Sequence, residues 1–371
     1  VSNFVGKIPF AAINLVMPFI MILGGFGFMI GTGGSALIAK TLGEGRHKLA
    51  NRYFSMLIIM TVILGFFLTT IGIVFARRVS ILLGATDVML DDCVIYLRTV
   101  LLFISPFMLQ NVFQSFLVTA QKPHAGLIVT IIAGLTNMSL DALFIVVFRW
   151  GVAGAALATG ISQCIGGLLP LILFLGKNDS LLHLVPTRLE WRPFFLSCTN
   201  GMSELMGNIS SSIVSMLYNF QLLNYAGENG IAAYGVLMYV QFIFIAVFFG
   251  YTIGVGPVIG YHYGAGNHAE LKNLLRKSLK LNIITGISMT ILANLFAGAL
   301  SRIFVGYDPE LYAMTKSAFH IFALSFLVCG INIFASAFFT ALNNGLVSAV
   351  ISFLRTLVFQ VGSVLILPAF L

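Results

Sequence analysis

Two carboxylates in this chain stand where carboxylates are expensive. Of its 12 Asp and Glu, ten fall in or beside polar connections, whereas Asp141 and Glu204 lie well inside long apolar runs. An ionised acid at the centre of a membrane-crossing helix costs about 2.5–3.5 kcal/mol on insertion scales, so it faces a partner or a water-filled cavity. Both residues are therefore candidates for binding a proton or a cation. In TNMSLD, Asn137 and Asp141 are four residues apart and share one helix face. Carboxylate and amide oxygens there could hold a hard monovalent cation, or form a proton site with neighbouring hydroxyls. The competing reading is an interhelical hydrogen bond. Glu204, in GMSELMGN, is expected about eleven residues into its helix and near mid-depth, at about 1.5 Å per residue. It could attract a lipophilic cation while trading a proton, or simply bond to Ser203, Asn208 or a facing helix. Gln114, Gln163, Gln241, Asn111, Asn332 and Asn219 could line a polar cavity, although each alone also fits a helix–helix contact.

The elements that must position these groups follow from composition. Of 371 residues, 59% are hydrophobic and 9% are charged, with a mean hydropathy of +1.01. A soluble domain carries about 25% charged residues, so a soluble enzyme and a disordered chain are excluded. The net charge of +8 comes from thinly scattered residues with no basic block, so no nucleic-acid partner is expected. The four cysteines are far apart, without metal-ligand spacing. GTGGS at 31–35 lacks the lysine of a phosphate-binding loop, and HExxH and GxSxG do not occur. No organic cofactor or resident metal is implied. Energy for any transport is expected from an ion gradient.

Ten stretches are long and apolar enough to cross a bilayer: 8–39, 53–76, 94–120, 125–148, 152–176, 193–222, 231–261, 278–305, 317–342 and 345–370. They are too long and too little alternating for strands, so the fold class is an all-α polytopic membrane protein. Lys and Arg number twelve on the side of the 43–48 loop against seven on the other, which makes that side cytoplasmic. Pro18, Pro106, Pro170 and Pro257 fall inside spans and are candidate kinks. A shift of 221 residues superposes Asn3 on Asn224, Met17 on Met238, Gly33 on Gly254, Gly43 on Gly264 and Gly45 on Gly266, and later Asn111 on Asn332 and Thr119 on Thr340. The halves are related, with a 1–176 bundle, a 177–192 linker and a 193–371 bundle. The offset implies two six-helix bundles with ten of twelve helices in this chain, so truncation at both ends is expected. Six helices per repeat give both halves the same orientation, as in alternating-access carriers with a site between repeats.

On these features the chain resembles the multidrug and toxic compound extrusion (MATE) family, and its bacterial MepA-like branch in particular. The paired loops GEGRHKLANRYF and YGAGNHAELKNLL, the NxxxD of Asn137 and Asp141, and the acid of GMSE carry the resemblance. It implies two six-helix lobes around a central cavity, from which drug leaves as H+ or Na+ enters. It adds Thr159, in GAALATG, to Asn137 and Asp141 in the coupling site, with a further acid from a helix preceding those seen here. It aligns Glu204 with an acid of the second lobe, and Asn332 with a position where that branch carries aspartate. The substrate cavity would then draw on Glu204, Gln114, Asn111, Asn332 and Gln241. The reading is a monomeric multi-pass antiporter of the cell (inner or plasma) membrane, exporting amphipathic or cationic drugs and toxins. The alternatives are a lipid-linked oligosaccharide flippase of the same superfamily, for which Arg355 is the clearest intramembrane base, and an intramembrane lipid-modifying enzyme.

Overall fold

The computed structural model describes residues 7–176 and 179–370, and these are helical apart from short connections and the non-helical segment 179–190. The first run comprises α1 (Lys7–Gly43), α2 (His47–Leu82), α3 (Leu90–Leu101), α4 (Ile104–Thr119), α5 (Pro123–Asp141, extended by a π-helical turn Ala142–Val147) and α6 (Gly151–Leu175). The second comprises α7 (Trp191–Asn200), α8 (Met202–Gly264), α9 (His268–Val305), α10 (Pro309–Ala323), α11 (Phe326–Ala341), α12 (Gly345–Phe353, then a π-helical turn Leu354–Phe359) and α13 (Gln360–Phe370).

Among the described residues, seven helices are long and apolar enough to cross a membrane, or nine when each bent pair is one span. The stretch 193–222, expected as a tenth, is helical but more polar. It carries Asn200, Glu204, Asn208 and the serines at 210–212. Its helix continues to Gly264 across a break at Gly227 (φ 62°, ψ −155°), a backbone conformation that glycine tolerates.

The internal repeat is written into the backbone. Gly45 (φ 76°) and Gly266 (φ 67°) end the first long helix of each run at repeat-related positions. Gln121 (φ 60°) and Asn343 (φ 58°) likewise turn the chain between corresponding helices. The bent pairs also correspond, α3–α4 by 56° and α10–α11 by 49°. In the first, Pro106 lacks an N–H and crowds the carbonyl of Leu102 four residues back, which places the break at 102–103. Ser325 marks the second break, where no proline follows and nothing in the local sequence accounts for the bend. Of the other candidate kinks, Pro18, Pro170 and Pro257 all sit inside continuous helices.

The two runs meet along α1 and α8. At Gly43 a Cβ would overlap the Tyr261 carbonyl, and at its repeat mate Gly264 one would overlap the Lys40 carbonyl. Asn200 Nδ2 donates to Asn343 Oδ1 (2.7 Å), and Asn343 Nδ2 donates to the Ala36 carbonyl (3.2 Å). All these contacts lie near the 43–47, 264–268 and 342–344 connections, so the halves are closed against each other at that end.

The connection between the runs is strapped along α2. His183 and Val185 donate backbone N–H groups to Asn51 Oδ1 (3.1 Å) and Ser55 Oγ (2.8 Å). Leu182 is fully buried in the first run's core, and that core extends to Phe194 and Leu205 of the second. Arg52 and Glu190 add an ion pair at 3.1 Å, each side chain 43% exposed. Because the backbone bonds and Leu182 hold the strap, a double-mutant cycle on Arg52 and Glu190 should give a coupling below about 1 kcal/mol in thermal unfolding.

Candidate functional site

Asp141 ends the regular part of α5, and the next turn widens to π-helical geometry, with Phe148 N–H reaching the Leu143 carbonyl at 2.9 Å. Such turns recur at functional sites because they leave backbone groups and side chains off the regular helical lattice. Asp141 is partly exposed, yet its Oδ1 is buried and finds no hydrogen-bond partner. Asn137 is half-buried one turn earlier. From α6, Thr159 approaches the same region, its carbonyl accepting from Ser162 Oγ at 2.7 Å.

A third helix joins them. Tyr96 of α3 is 2% exposed, and its phenol faces Thr159 within electrostatic reach of Asp141. Tyr96 was not among the residues singled out from sequence. The signal that could have found it is a tyrosine inside an apolar span, whose hydroxyl needs a partner when buried. Tyr96 of α3 and Thr159 of α6 thus neighbour each other, with the Asp141 carboxylate of α5 within electrostatic reach of the phenol. No group of three or more His, Cys, Asp or Glu occurs among the described residues, so the charge available suits a proton or a monovalent cation. Tyr96→Phe should keep the fold and lower transport several-fold, by removing one oxygen from this set; initial transport rates at matched expression check it.

The second acid has a different setting. Glu204 lies in the first turn of α8, its N–H bonded to the Gly201 carbonyl at 3.0 Å. Asn208 donates to the backbone carbonyl of Glu204 (2.9 Å), not to its carboxylate. The charged neighbour is Arg355, in the π-helical turn after α12, and Cys329 of α11 also lies within reach of that guanidinium. Beside them runs a ladder of buried hydroxyls: Ser203 Oγ with Thr340 Oγ1 (3.4 Å), Thr340 Oγ1 with Ser348 Oγ (2.7 Å), and Ser336 Oγ with Ser348 Oγ (3.0 Å). Glu204 and Arg355 are 151 positions apart in sequence (355 minus 204), so their pairing had no local signal.

The amides divide. Asn111 is 3% exposed and donates to the Gly24 carbonyl at 3.0 Å, a bond between α4 and α1. Gln114 and Gln241 are half-buried, and Asn332 is exposed. Gln163 is buried with Oε1 unpartnered. The side chain of Asn219 lies outside the described residues.

A repeated set of bent and π-turned apolar helices, holding one acid in each half, is the architecture of a multi-pass membrane protein. The chain belongs to the MatE family, whose sequence profile matches residues 1–143 and 205–365. Members of this family are ion-coupled. The chain is similar to the multidrug export protein MepA of Staphylococcus haemolyticus, 26% identical over 341 residues that cover 90% of this chain and 74% of that one. MepA of Staphylococcus saprophyticus is also 26% identical, over 353 residues covering 94% and 77% of the two chains. A crystal structure of MATE in complex with MaL6 superposes with a TM-score of 0.91 at 22% identity, covering 97% of this chain and 81% of the other.

Proposed function

We propose that this chain is a secondary active antiporter that exports amphipathic and cationic compounds in exchange for protons or sodium ions. The observation that carries the coupling assignment is the buried, unpartnered Oδ1 of Asp141, beside the Thr159 and Tyr96 oxygens. In this reading Asp141, Asn137 and Thr159 take up the ion, and Glu204, with Gln114 and Gln241, faces substrate between the halves. Asn111 supports that wall from behind, through its bond to α1. The exposed Asn332 is assigned to its margin. The halves divide at 177–192, the strapped segment travelling with the first. With the 43–48 loop read as cytoplasmic, the contacts that close the halves at that end support an outward-facing reading. Ion and drug need different affinities in the two states for exchange to occur.

The export of drugs by relatives bearing the MepA name supports the substrate class. The test is ethidium efflux from right-side-out membrane vesicles containing the full-length protein, energised by an imposed pH or sodium gradient. Efflux should follow one of the gradients and stop when an ionophore collapses it. Efflux that ignores both gradients but requires ATP would overturn the reading.

A further inference from the structure

We propose that Arg355 and Glu204 together receive a zwitterionic ligand, the guanidinium taking its oxyanion and the carboxylate its cationic group. This rests on the transporter reading and narrows its substrate class.

The two charges are brought side by side by other bonds. Ser352 Oγ donates to the Ser203 carbonyl at 3.0 Å, which pins α12 against α8. Glu204 follows Ser203 directly, and Arg355 stands one turn beyond Ser352. The ion pairs among the described residues are Arg46–Glu44 and Arg52–Glu190. Glu204 and Arg355 are thus neighbours that do not close into a contact pair. A guanidinium carries five N–H donors. Here Nε reaches Thr356 Oγ1 at 3.4 Å, and Nη1 is buried without any partner. A buried, charged donor left unpaired is unfavourable and calls for an acceptor.

Glu204 is also aimed suitably. On α8, Leu205 and Asn208 approach Gly25 of α1, while Ser203 and Gly207 approach Ser352 of α12. At about 100° per residue, Glu204 projects between those two faces, toward the side of α8 between α1 and α12, the wedge that the proposed substrate path would use. A simple anion approaching Arg355 would meet the Glu204 charge, and a simple cation approaching Glu204 would meet Arg355. A molecule carrying both charges satisfies the two together. The planar fork of arginine matches carboxylate or phosphate oxygens, and lysine offers only a point charge. The oxyanion could belong to an exported amphiphile or to a zwitterionic phospholipid headgroup.

The test uses the full-length protein in liposomes and two dyes: rhodamine B, a xanthylium cation with a free carboxylate, and its ethyl ester, which is only a cation. Charge-assisted hydrogen bonds are worth enough that Arg355→Gln should lower the ratio of kcat/KM for rhodamine B to that for the ester by about tenfold or more. Arg355→Lys should restore part of that ratio. A ratio unchanged within about twofold in both variants overturns the proposal, since a merely structural arginine would slow both dyes together. Competition by added phosphatidylethanolamine in the wild type alone supports the site with lipid as the source. Selective loss of rhodamine B without such competition supports it with the exported compound as the source. If the wild type moves neither dye under an ion gradient, the transporter reading fails. Equilibrium binding of the two dyes, read by fluorescence polarisation, then still decides the site.

Discussion

Asp141→Asn should abolish ion-driven export while leaving the protein folded and able to bind drug. The carboxyl has one oxygen buried with no hydrogen-bond partner among the described residues, so the amide breaks no bond seen there. Replacing a buried ionisable group by a neutral isostere removes a desolvation burden, and thermal stability should hold or rise. The amide keeps the shape and neighbours of the side chain but cannot exchange a proton or supply a full negative charge to a cation. Without that differential interaction the ion has no leverage on the equilibrium between the two states. Gradient-driven efflux should fall at least about a hundredfold, the scale of a coupling of about 3 kcal/mol. Equilibrium dye binding should change by less than about threefold, because the substrate is assigned to the wedge near Glu204. Normal efflux by this variant sinks the coupling assignment.

Gly264→Val should trap the halves apart at their closed end. Gly264 and Gly43 are repeat mates, and each meets a backbone carbonyl of the other helix, Lys40 and Tyr261 respectively. Backbone cannot retreat as a flexible side chain can, so an added branched side chain must separate α1 from α8. Overpacking of this kind costs about 1–3 kcal/mol, and here the cost falls only on the state in which the two helices touch. That corresponds to a shift of about 5–150-fold toward the alternative state. Export should fall accordingly. Cysteine accessibility near Asn200 and Asn343, measured from the 43–48 side, should rise. Gly43→Val should act in the same way, as expected of a contact with twofold character. Reduced insertion without altered accessibility would mean that the contact serves assembly.

The architecture was largely legible because membrane spans announce themselves by length and hydropathy. The 221-residue repeat was legible because both halves need the same turns: Gly45 and Gly266 sit at positive φ in matching loops. Asp141 and Glu204 stood out because ionised groups are rare in such spans. The companions of these acids were less visible. Thr159 came from family resemblance, and Tyr96 was missed because its nearness to Thr159 and Asp141 joins residues of three different helices and not one local spacing. The partnership of Glu204 with Arg355 depends on Ser352 bonding to Ser203 across the second half, a tertiary fact without a local signature. Asn111 was legible as a polar group in a span, but its bond to Gly24 could not be told from a cavity role. The stretch 193–222 shows the reverse effect: its polar residues take it out of the set of strongly apolar spans among the described residues.

The central claim, obligatory exchange, is tested most directly by running the transporter backwards. Liposomes containing the full-length protein are loaded with equal ion concentrations on both sides, and a drug gradient is imposed as the only driving force. Internal pH and radioactive sodium are then followed. The account predicts that drug flow drives protons or sodium in the opposite direction, in fixed proportion, and that Asp141→Asn eliminates the ion movement. Drug flow without ion movement in the wild type, or ion movement that persists in Asp141→Asn, contradicts it.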